Sequence, residues 1–142
     1  MIAFTVYGEP VAQGRPRFTT VGGFARAYDP KKSKDYKDYV KLVASEHAPA
    51  ALTDEPLILQ VKVFRPIPKS FSKKKAWAAE SGTIRPTTKP DADNFIKGIK
   101  DALKNIIWKD DSQVVDLYVS KWYSGRPRVE IKIQKISEAK FK

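Results

Sequence analysis

A chain of 142 residues, 42% of them hydrophobic, is long enough to bury a core of its own and has the composition of a folded protein rather than a disordered one. Lys and Arg number 27 against 16 for Asp and Glu, so the formal net charge is +11. Such an excess is typical of proteins that bind nucleic acid, although solubility alone is an alternative explanation. The sequence contains no Cys, which excludes disulfides, zinc–thiolate sites and a thiol nucleophile.

The N-terminal sequence predicts a cytoplasmic protein. It lacks a basic segment followed by a long apolar segment, so we do not interpret it as a signal peptide. No apolar stretch approaches the roughly 20 residues that span a bilayer. We therefore expect no membrane anchor. The length of the chain predicts a single domain over residues 1–142.

Residues 2–28 predict β structure. Apolar and polar residues alternate over 2–7, which indicates a strand, and Val21-Gly22-Gly23 predicts a hairpin turn. The segments around this turn carry Arg15, Arg17 and Arg26 among aromatic residues. Arginines between aromatics suit contact with nucleic acid, in which the guanidinium meets phosphate and the ring meets a base. An ordinary hairpin with inward-facing aromatics is an equally good interpretation.

A helix and a second strand follow. Asp29-Pro30 has the pattern of an N-cap with proline at the first helical position, and apolar spacing predicts a helix over about 30–47. Alternation over 57–64 predicts the strand, which we expect Arg65-Pro66-Ile67-Pro68 to stop.

Residues 65–89 form a basic segment in which Glu80 is the single acid. Residues 72–79 predict a short helix with Trp77 facing inward, between loops rich in turn residues. A lysine run is more often a solvated face than a binding surface, but this one leads directly into a group of carboxylates. Its candidate DNA-binding residues are Lys69, Lys73, Lys74, Lys75, Arg85 and Lys89.

The central helix is predicted over about 93–106. Asp93, Lys97 and Asp101 are spaced four residues apart and share one face of it. The opposite, apolar face is expected to be buried. Its members are Ile96, Ile99, Leu103 and either Ile106 or Ile107.

The C-terminal region predicts an antiparallel pair of strands. The first strand has Val115, Leu117 and Val119 on one face, residues 124–127 turn the chain back, and the last strand spans about 128–133. Together the elements predict an α/β (α+β) fold, a small domain whose mixed or antiparallel sheet is packed by two main helices.

Four carboxylates lie at the two ends of the central helix. Asp91 and Asp93 are at its start, and Asp110 and Asp111 follow its end. Like charges raise each other's pKa, so grouped carboxylates in a basic protein need a cation to stay ionised. Oxygen ligands suit Mg²⁺ or Mn²⁺, which favours metal-dependent phosphodiester hydrolysis with Lys97 next to the phosphate.

A helix of about 14 residues is roughly 21 Å long. Asp111 must therefore be carried back by the chain that follows, or the site is shared across a dimer. Each acid also has a structural interpretation: Asp91 or Asp93 as the N-cap, Asp93 with Lys97 as a surface pair, and Asp110-Asp111 as turn residues. On that interpretation the protein is a non-catalytic DNA-binding module.

Three motifs resemble the signature of the RusA family of Holliday junction resolvases. They are Lys-Pro-Asp-Ala-Asp-Asn-Phe-Ile-Lys at 89–97, Asp-Ala-Leu at 101–103, and Trp-Lys-Asp-Asp-Ser-Gln-Val-Val at 108–115. The resemblance is strongest over about residues 85–120.

The resemblance implies a small α/β domain that forms a homodimer and resolves four-way DNA junctions by paired nicks with Mg²⁺, or with Mn²⁺ as a substitute. It also implies that Asp91, Asp93 and Asp111 are metal-binding catalytic carboxylates and that Lys97 is the catalytic lysine. Such proteins often occur in prophages, so it suggests a phage or prophage origin. A metal nuclease for other branched DNA is the alternative within the same chemistry.

Overall fold

The computed structural model describes residues 1–14, 17–21, 24–28 and 31–139, with the backbone alone described over 17–21 and 24–28. These residues form six strands and three α-helices. The strands are β1 (Ile2–Tyr7), β2 (Arg17–Val21), β3 (Phe24–Tyr28), β4 (Leu57–Pro66), β5 (Val114–Ser124) and β6 (Arg128–Lys135). The helices are α1 (Lys31–Ser45), α2 (Lys73–Glu80) and α3 (Ala92–Leu103).

A mixed sheet of four strands in the order β1-β6-β4-β5 forms the centre of the fold. Strand β4 pairs parallel with β5 and antiparallel with β6, and β6 pairs antiparallel with β1. The polar face of this sheet carries residues such as Thr5, Lys62 and Glu130, because alternate side chains of a strand point to opposite faces. The predicted mixed sheet is confirmed.

The predicted antiparallel pairing of the last two strands is wrong. β4 lies between β5 and β6, so the short turn at 125–127 crosses the end of β4. Leu59, Val61 and Val63 of β4 are fully buried, as suits a central strand with a neighbour on each side. Alternating apolar residues identify the buried face of a strand, but they do not identify its neighbour.

Strand β5 is an edge strand, and this changes the environment of its apolar residues. Of the three residues predicted to share one face, Val119 packs against the core, whereas Val115 and Leu117 are exposed. The register with β4 shifts at its start, where Leu57 pairs with Val114 and the next pair skips Val115. Such a bulge turns the extra residue out of the ladder.

Helices α1 and α3 cover the apolar face of the sheet, which confirms the two main helices. α3 contributes Phe95, Ile96 and Ile99, and α1 contributes Val40 and Ala44. The apolar stripe predicted for the central helix is buried as expected, with Ile107 rather than Ile106 completing it. The helices and the sheet thus share one core.

Helix α3 ends at Leu103, three residues before the predicted end. Lys104 is already extended, and Asn105 has φ 67°, a left-handed conformation that Asn tolerates better than most residues. The Asn105 N–H donates to the Trp108 carbonyl at 2.7 Å, which closes a tight turn. This turn reverses the chain and places Trp108 in the core.

Helix α2 forms where a short helix was predicted, but the predicted inward orientation of Trp77 is wrong. Trp77 is 73% exposed, and the small Ala79 is the residue that packs inward. A helix of eight residues has room for one narrow buried stripe, and here that stripe passes through alanine.

The predicted hairpin is confirmed in its pairing, since β2 and β3 are antiparallel and Val21 pairs with Phe24. The turn glycines Gly22 and Gly23 lie outside the described residues, as does Asp29-Pro30 before α1. No helix in the described part of the chain is long and apolar enough to cross a membrane.

We predict that Leu59→Ala lowers the free energy of unfolding by about 2–5 kcal/mol, because it leaves a cavity at a fully buried position of the central strand. Chemical denaturation followed by circular dichroism measures the change. The matched control is Leu42→Ala, since Leu42 is 65% exposed on α1 and its loss should cost little. Equal effects of the two substitutions would contradict the assignment of β4 to the core.

Candidate active site

A cavity of about 620 Å³ lies beside α3. Its wall combines positive, negative and amide side chains from three separate segments of the chain. The lining residues are Gln13, Gly14, Asn94, Lys97, Lys100, Asp101 and Asp111. Such a mixture of charges suits an anionic ligand together with a cation better than it suits an apolar ligand.

The segment after β1 forms one wall of the cavity. The Gln13 N–H donates to the Asn94 carbonyl at 2.8 Å, which fixes the segment against the first turn of α3. Gly98 permits this approach, because a Cβ at that position would lie 3.3 Å from Gln13 Oε1. The absence of a side chain on the helix therefore helps to shape the cavity.

Another part of the wall is formed by Asp111, which the buried Trp108 supports. Trp108 is 0% exposed, and its Nε1–H donates to Asp111 Oδ1 at 2.8 Å. The turn after α3 thus carries Asp111 back to the cavity that Asn94 and Lys97 line in the same chain. Lys97 and Asp111 of the predicted site thus line one cavity within a single chain.

Asp110 has a structural role in this turn. It caps the short 3₁₀ helix Asp111–Gln113, and its Oδ1 accepts from the Ser112 N–H at 3.0 Å. This hydrogen bond lowers the pKa of the Asp110 carboxyl below its usual value. The capping geometry turns the Asp110 carboxylate towards its own backbone.

Gln113 ties the same turn to the rest of the fold. Its Oε1 accepts from the N–H groups of Lys109 and Asp110 at 3.0 and 2.8 Å. Its Nε2 donates to the carbonyls of Thr53 and Glu55 at 2.8 and 3.1 Å. One amide therefore satisfies four backbone groups and fixes the segment that carries Asp111.

Asp91 and Asp93 lie at the start of α3 but outside the cavity lining. Asp91 occupies the N-cap position, yet its side chain makes no capping hydrogen bond, so a capping role does not account for its carboxylate. Asp93 is exposed in the first turn. In the described part of the chain, no ion pair joins it to Lys97.

The structure therefore brings Asp111 and Lys97 together but does not gather all the predicted carboxylates around one point. Over the described residues, no three His, Cys, Asp or Glu side chains lie close enough to hold a metal ion. Asp101, the other acid of the cavity, lies 3.8 Å from the Lys37 Nζ.

Three basic residues hold the chain that leads to Asp91. The Lys121 Nζ donates to the carbonyls of Thr88 and Pro90 at 2.9 and 3.0 Å. Arg65 Nη1 donates to the Lys89 carbonyl at 3.0 Å. Arg85 Nε donates to the Lys121 carbonyl at 2.6 Å. The acceptor in each of these hydrogen bonds is a backbone carbonyl group.

The predicted DNA-binding residues differ in how they are used. Arg85 stacks over the Trp122 ring at 3.3 Å, and Lys75 lies over the Phe71 ring at 4.2 Å, so both side chains are engaged within the protein. Arg15 lies outside the described residues, and only the backbone is described for Arg17 and Arg26. The remaining candidates, Lys69, Lys73, Lys74 and Lys89, are exposed.

Comparison with known proteins identifies the family. The family model described as "Endodeoxyribonuclease RusA" matches residues 7–134, which is most of the chain. The chain belongs to the RusA family. The resemblance inferred from the motifs at 89–115 is thereby confirmed, and the match extends from the end of β1 almost to the end of β6.

Two relatives are similar to this chain over most of its length. "Uncharacterized protein YqaN" of Bacillus subtilis (strain 168) is 59% identical over 138 residues, which cover 96% of this chain and 97% of the relative. "Crossover junction endodeoxyribonuclease rusA" of Lactococcus phage r1t is 27% identical over 128 residues, covering 89% of this chain and 91% of the relative. Both similarities span nearly the full length of the proteins.

Membership supports junction-resolving endonuclease activity at the level of the family. RusA nucleases act on branched DNA and generally depend on a divalent metal ion.

Several residues of the site were missed from the sequence. Asn94 and Lys100 line the cavity at helical spacing from Lys97, so their positions on α3 could have identified them. Gln113 and Lys121 gave no such signal, because they donate to carbonyl groups that are distant in sequence and that the fold brings close.

We predict that Gln113→Ala lowers the free energy of unfolding by about 2–6 kcal/mol, because four backbone groups lose a hydrogen-bond partner worth roughly 0.5–1.5 kcal/mol each. Urea denaturation measures the loss. Gln134→Ala is the control: it removes a single bond to the Glu138 carbonyl and should cost about 1 kcal/mol or less. A loss for Gln113→Ala no larger than that of the control would contradict this role.

Proposed function

We propose that this protein is a Mg²⁺-dependent endodeoxyribonuclease that resolves Holliday junctions by paired symmetrical nicks, with Mn²⁺ as a substitute metal. The observation that carries the proposal is the cavity beside α3, where Asp111 and Lys97 meet within one chain of the RusA family. A carboxylate and an ammonium group on one polar cavity match the two requirements of phosphodiester hydrolysis, a cation site and a partner for phosphate.

Asp91, Asp93 and Asp111 would hold the metal ion, which requires Asp91 and Asp93 to approach the cavity that Asp111 lines. Their carboxylate oxygens are the donors that Mg²⁺ and Mn²⁺ prefer. The Asp91 side chain is not used as a helix cap, and Asp111 accepts from Trp108 through Oδ1, which leaves its Oδ2 for another partner. When bound, such an ion supplies an activated water and neutralises charge on the phosphate.

The protein's own residues would position the DNA strand. Lys97 projects from α3 into the cavity as an exposed side chain, so its ammonium group can meet a phosphate without leaving a buried position. Lys100, one turn further along the helix, lines the same wall. The Trp108 N–H holds Asp111 in one orientation, which reduces the reorganisation needed at the moment of reaction.

The exposed lysines of the 65–89 segment and the arginines of the β2–β3 hairpin would contact the arms of the junction. Phosphate contacts of this kind supply most of the affinity for DNA and make binding salt-dependent. The proposed DNA-binding residues are Arg15, Arg17, Arg26, Lys69, Lys73, Lys74, Lys75, Arg85 and Lys89. Of these, Lys75 and Arg85 also make contacts within the protein.

Paired nicks require two active sites, and we propose a homodimer to supply them. A two-fold axis would place the two sites on symmetry-related strands of the junction. The outer edge of β5 supports this arrangement, because Val115, Leu117 and Tyr118 are exposed on a strand that has a neighbour on one side only in the described sheet. Such an edge is complementary to a second copy of itself.

We predict that Asp93→Asn lowers cleavage of a synthetic four-way junction by at least about 100-fold in Mg²⁺. Replacing a residue that merely hydrogen-bonds a metal ligand already lowers activity about 10- to 100-fold, and a ligand itself should matter more. Junction binding should be kept or improved, because the change removes negative charge without adding bulk. Gel electrophoresis of end-labelled arms measures nicking. The control Asp38→Asn makes the same chemical change at an exposed position of α1 and should leave cleavage intact.

The same assay separates the alternatives. Tight junction binding with no cleavage in Mg²⁺ or Mn²⁺, and no effect of Asp93→Asn, would indicate a non-catalytic DNA-binding module. If flap or replication-fork DNA competes for the enzyme better than a four-way junction does, the protein is a metal nuclease for other branched DNA. Loss of cleavage in EDTA is expected on the proposed function.

We predict that Lys97→Ala reduces the cleavage rate by about 10- to 1,000-fold while affinity for the junction changes by less than about threefold, because one of many phosphate contacts is lost but the charge beside the reacting group disappears. Single-turnover kinetics and anisotropy measure the two quantities. Lys41→Ala, on the exposed face of α1, is the control. A loss of affinity that accounts for the whole loss of rate would place Lys97 in DNA binding alone.

A further inference from the structure

Trp77 is exposed in a way that the other two tryptophans are not. Trp108 is buried and donates to Asp111, and Trp122 donates to the Ser120 hydroxyl at 2.7 Å while Arg85 covers its ring. Trp77 instead leaves 73% of its surface in solvent. Indole is a large apolar surface, so an exposed Trp is more informative than an exposed Leu or Tyr.

The helix that carries Trp77 is fixed, so the ring cannot turn inward without breaking local contacts. The Ser72 hydroxyl accepts from the Lys75 N–H at 3.2 Å and caps the start of α2. At the other end, Glu80 accepts from the Gly125 N–H at 2.7 Å and lies 3.3 Å from the Ser124 hydroxyl. With Ala79 packed inward, Trp77 points away from the protein body.

The surface beside the ring is positively charged. Lys73 and Lys74 precede Trp77 by four and three residues, so they lie next to it on the helix surface. Both are exposed, and neither forms an ion pair within the described part of the chain. A flat aromatic ring beside two ammonium groups provides a stacking surface and phosphate contacts in one place.

This surface is connected to the segment before α3 through contacts within the protein. The chain from α2 to Asp91 is held to β5 by Arg85 and Lys121. Gly82, just after α2, lies close against Trp122 of the same strand. A nucleotide bound at α2 would therefore be held on the element that leads into α3.

We propose that Trp77, Lys73 and Lys74 bind an unpaired nucleotide of DNA, with the indole stacked on the base and the lysines on the flanking phosphates. The inference rests on the proposed function, since it takes DNA as the ligand. Every base presents a π-face, so such stacking tolerates any sequence. Fully paired DNA keeps its bases within the stack and offers the ring nothing, whereas a branch point can expose a base.

The test measures binding without cleavage. Anisotropy in EDTA gives the affinities of the full-length protein for a labelled single-stranded oligothymidylate and for a fully paired duplex of the same length. Trp77→Ala should weaken binding to the single strand by about 5- to 100-fold and binding to the duplex by less than about twofold. Trp77→Phe, which keeps a ring, should retain most of the affinity.

Leu42→Ala is the matched control, because it also removes an exposed apolar side chain, from α1. It should leave both affinities unchanged. Thermal melting of each variant shows whether it is folded. A second readout uses 2-aminopurine at the branch point of a four-way junction, whose fluorescence should be quenched by the wild type and not by Trp77→Ala.

Several outcomes would overturn the inference. These are equal affinity of wild type and Trp77→Ala for the single strand, an equal loss for single strand and duplex, and no binding of the single strand by the wild type. A lower molecular mass of Trp77→Ala in light scattering would assign the ring to contact with a second copy. Failure of the wild type to cleave a junction in Mg²⁺ would count against the proposed function and leave these comparisons intact.

Discussion

The hydrogen bond from the buried Trp108 indole to Asp111 links the core of this protein to its candidate chemistry. The indole is enclosed by the sheet and α3, so its N–H has one position, and the carboxylate that accepts from it has little freedom. The tight turn after α3 makes the bond possible by reversing the chain within a few residues. Asp111 is therefore anchored to the hydrophobic core through Trp108, although it faces a polar cavity.

Much of the fold was predictable because burial leaves a periodic trace. The apolar stripe of α3 and the alternation in β1 and β4 gave those elements with small errors at their ends. The neighbour of β5 was not predictable, because the alternation of apolar and polar residues specifies the buried face of a strand but not the strand that pairs with it. Trp77 was placed inward because an indole is usually buried, and no local pattern showed that alanine takes that position in α2.

The candidate site divides in the same way. The grouping of Asp91, Asp93, Lys97 and Asp111 in the motifs pointed to phosphodiester chemistry and to the RusA family. The segment that carries Asp111 is also held by two hydrogen bonds from Gln113 to the carbonyls of Thr53 and Glu55, which lie 60 and 58 residues away in sequence. No spacing rule could provide these partners. Asp110, next to Asp111 and chemically identical, proves to be a cap, a distinction that depends on its hydrogen bond to Ser112.

Arg65, Arg85 and Lys121 act as internal braces, because their hydrogen bonds hold the segment that leads to Asp91. These bonds also affect the electric field near the start of α3. Their partners are backbone carbonyls, which carry a dipole but no net charge. Each brace therefore keeps its full positive charge while its motion is restricted. A positive potential built this way is present before any polyanion arrives, and approaching DNA need not immobilise these long side chains to feel its attraction.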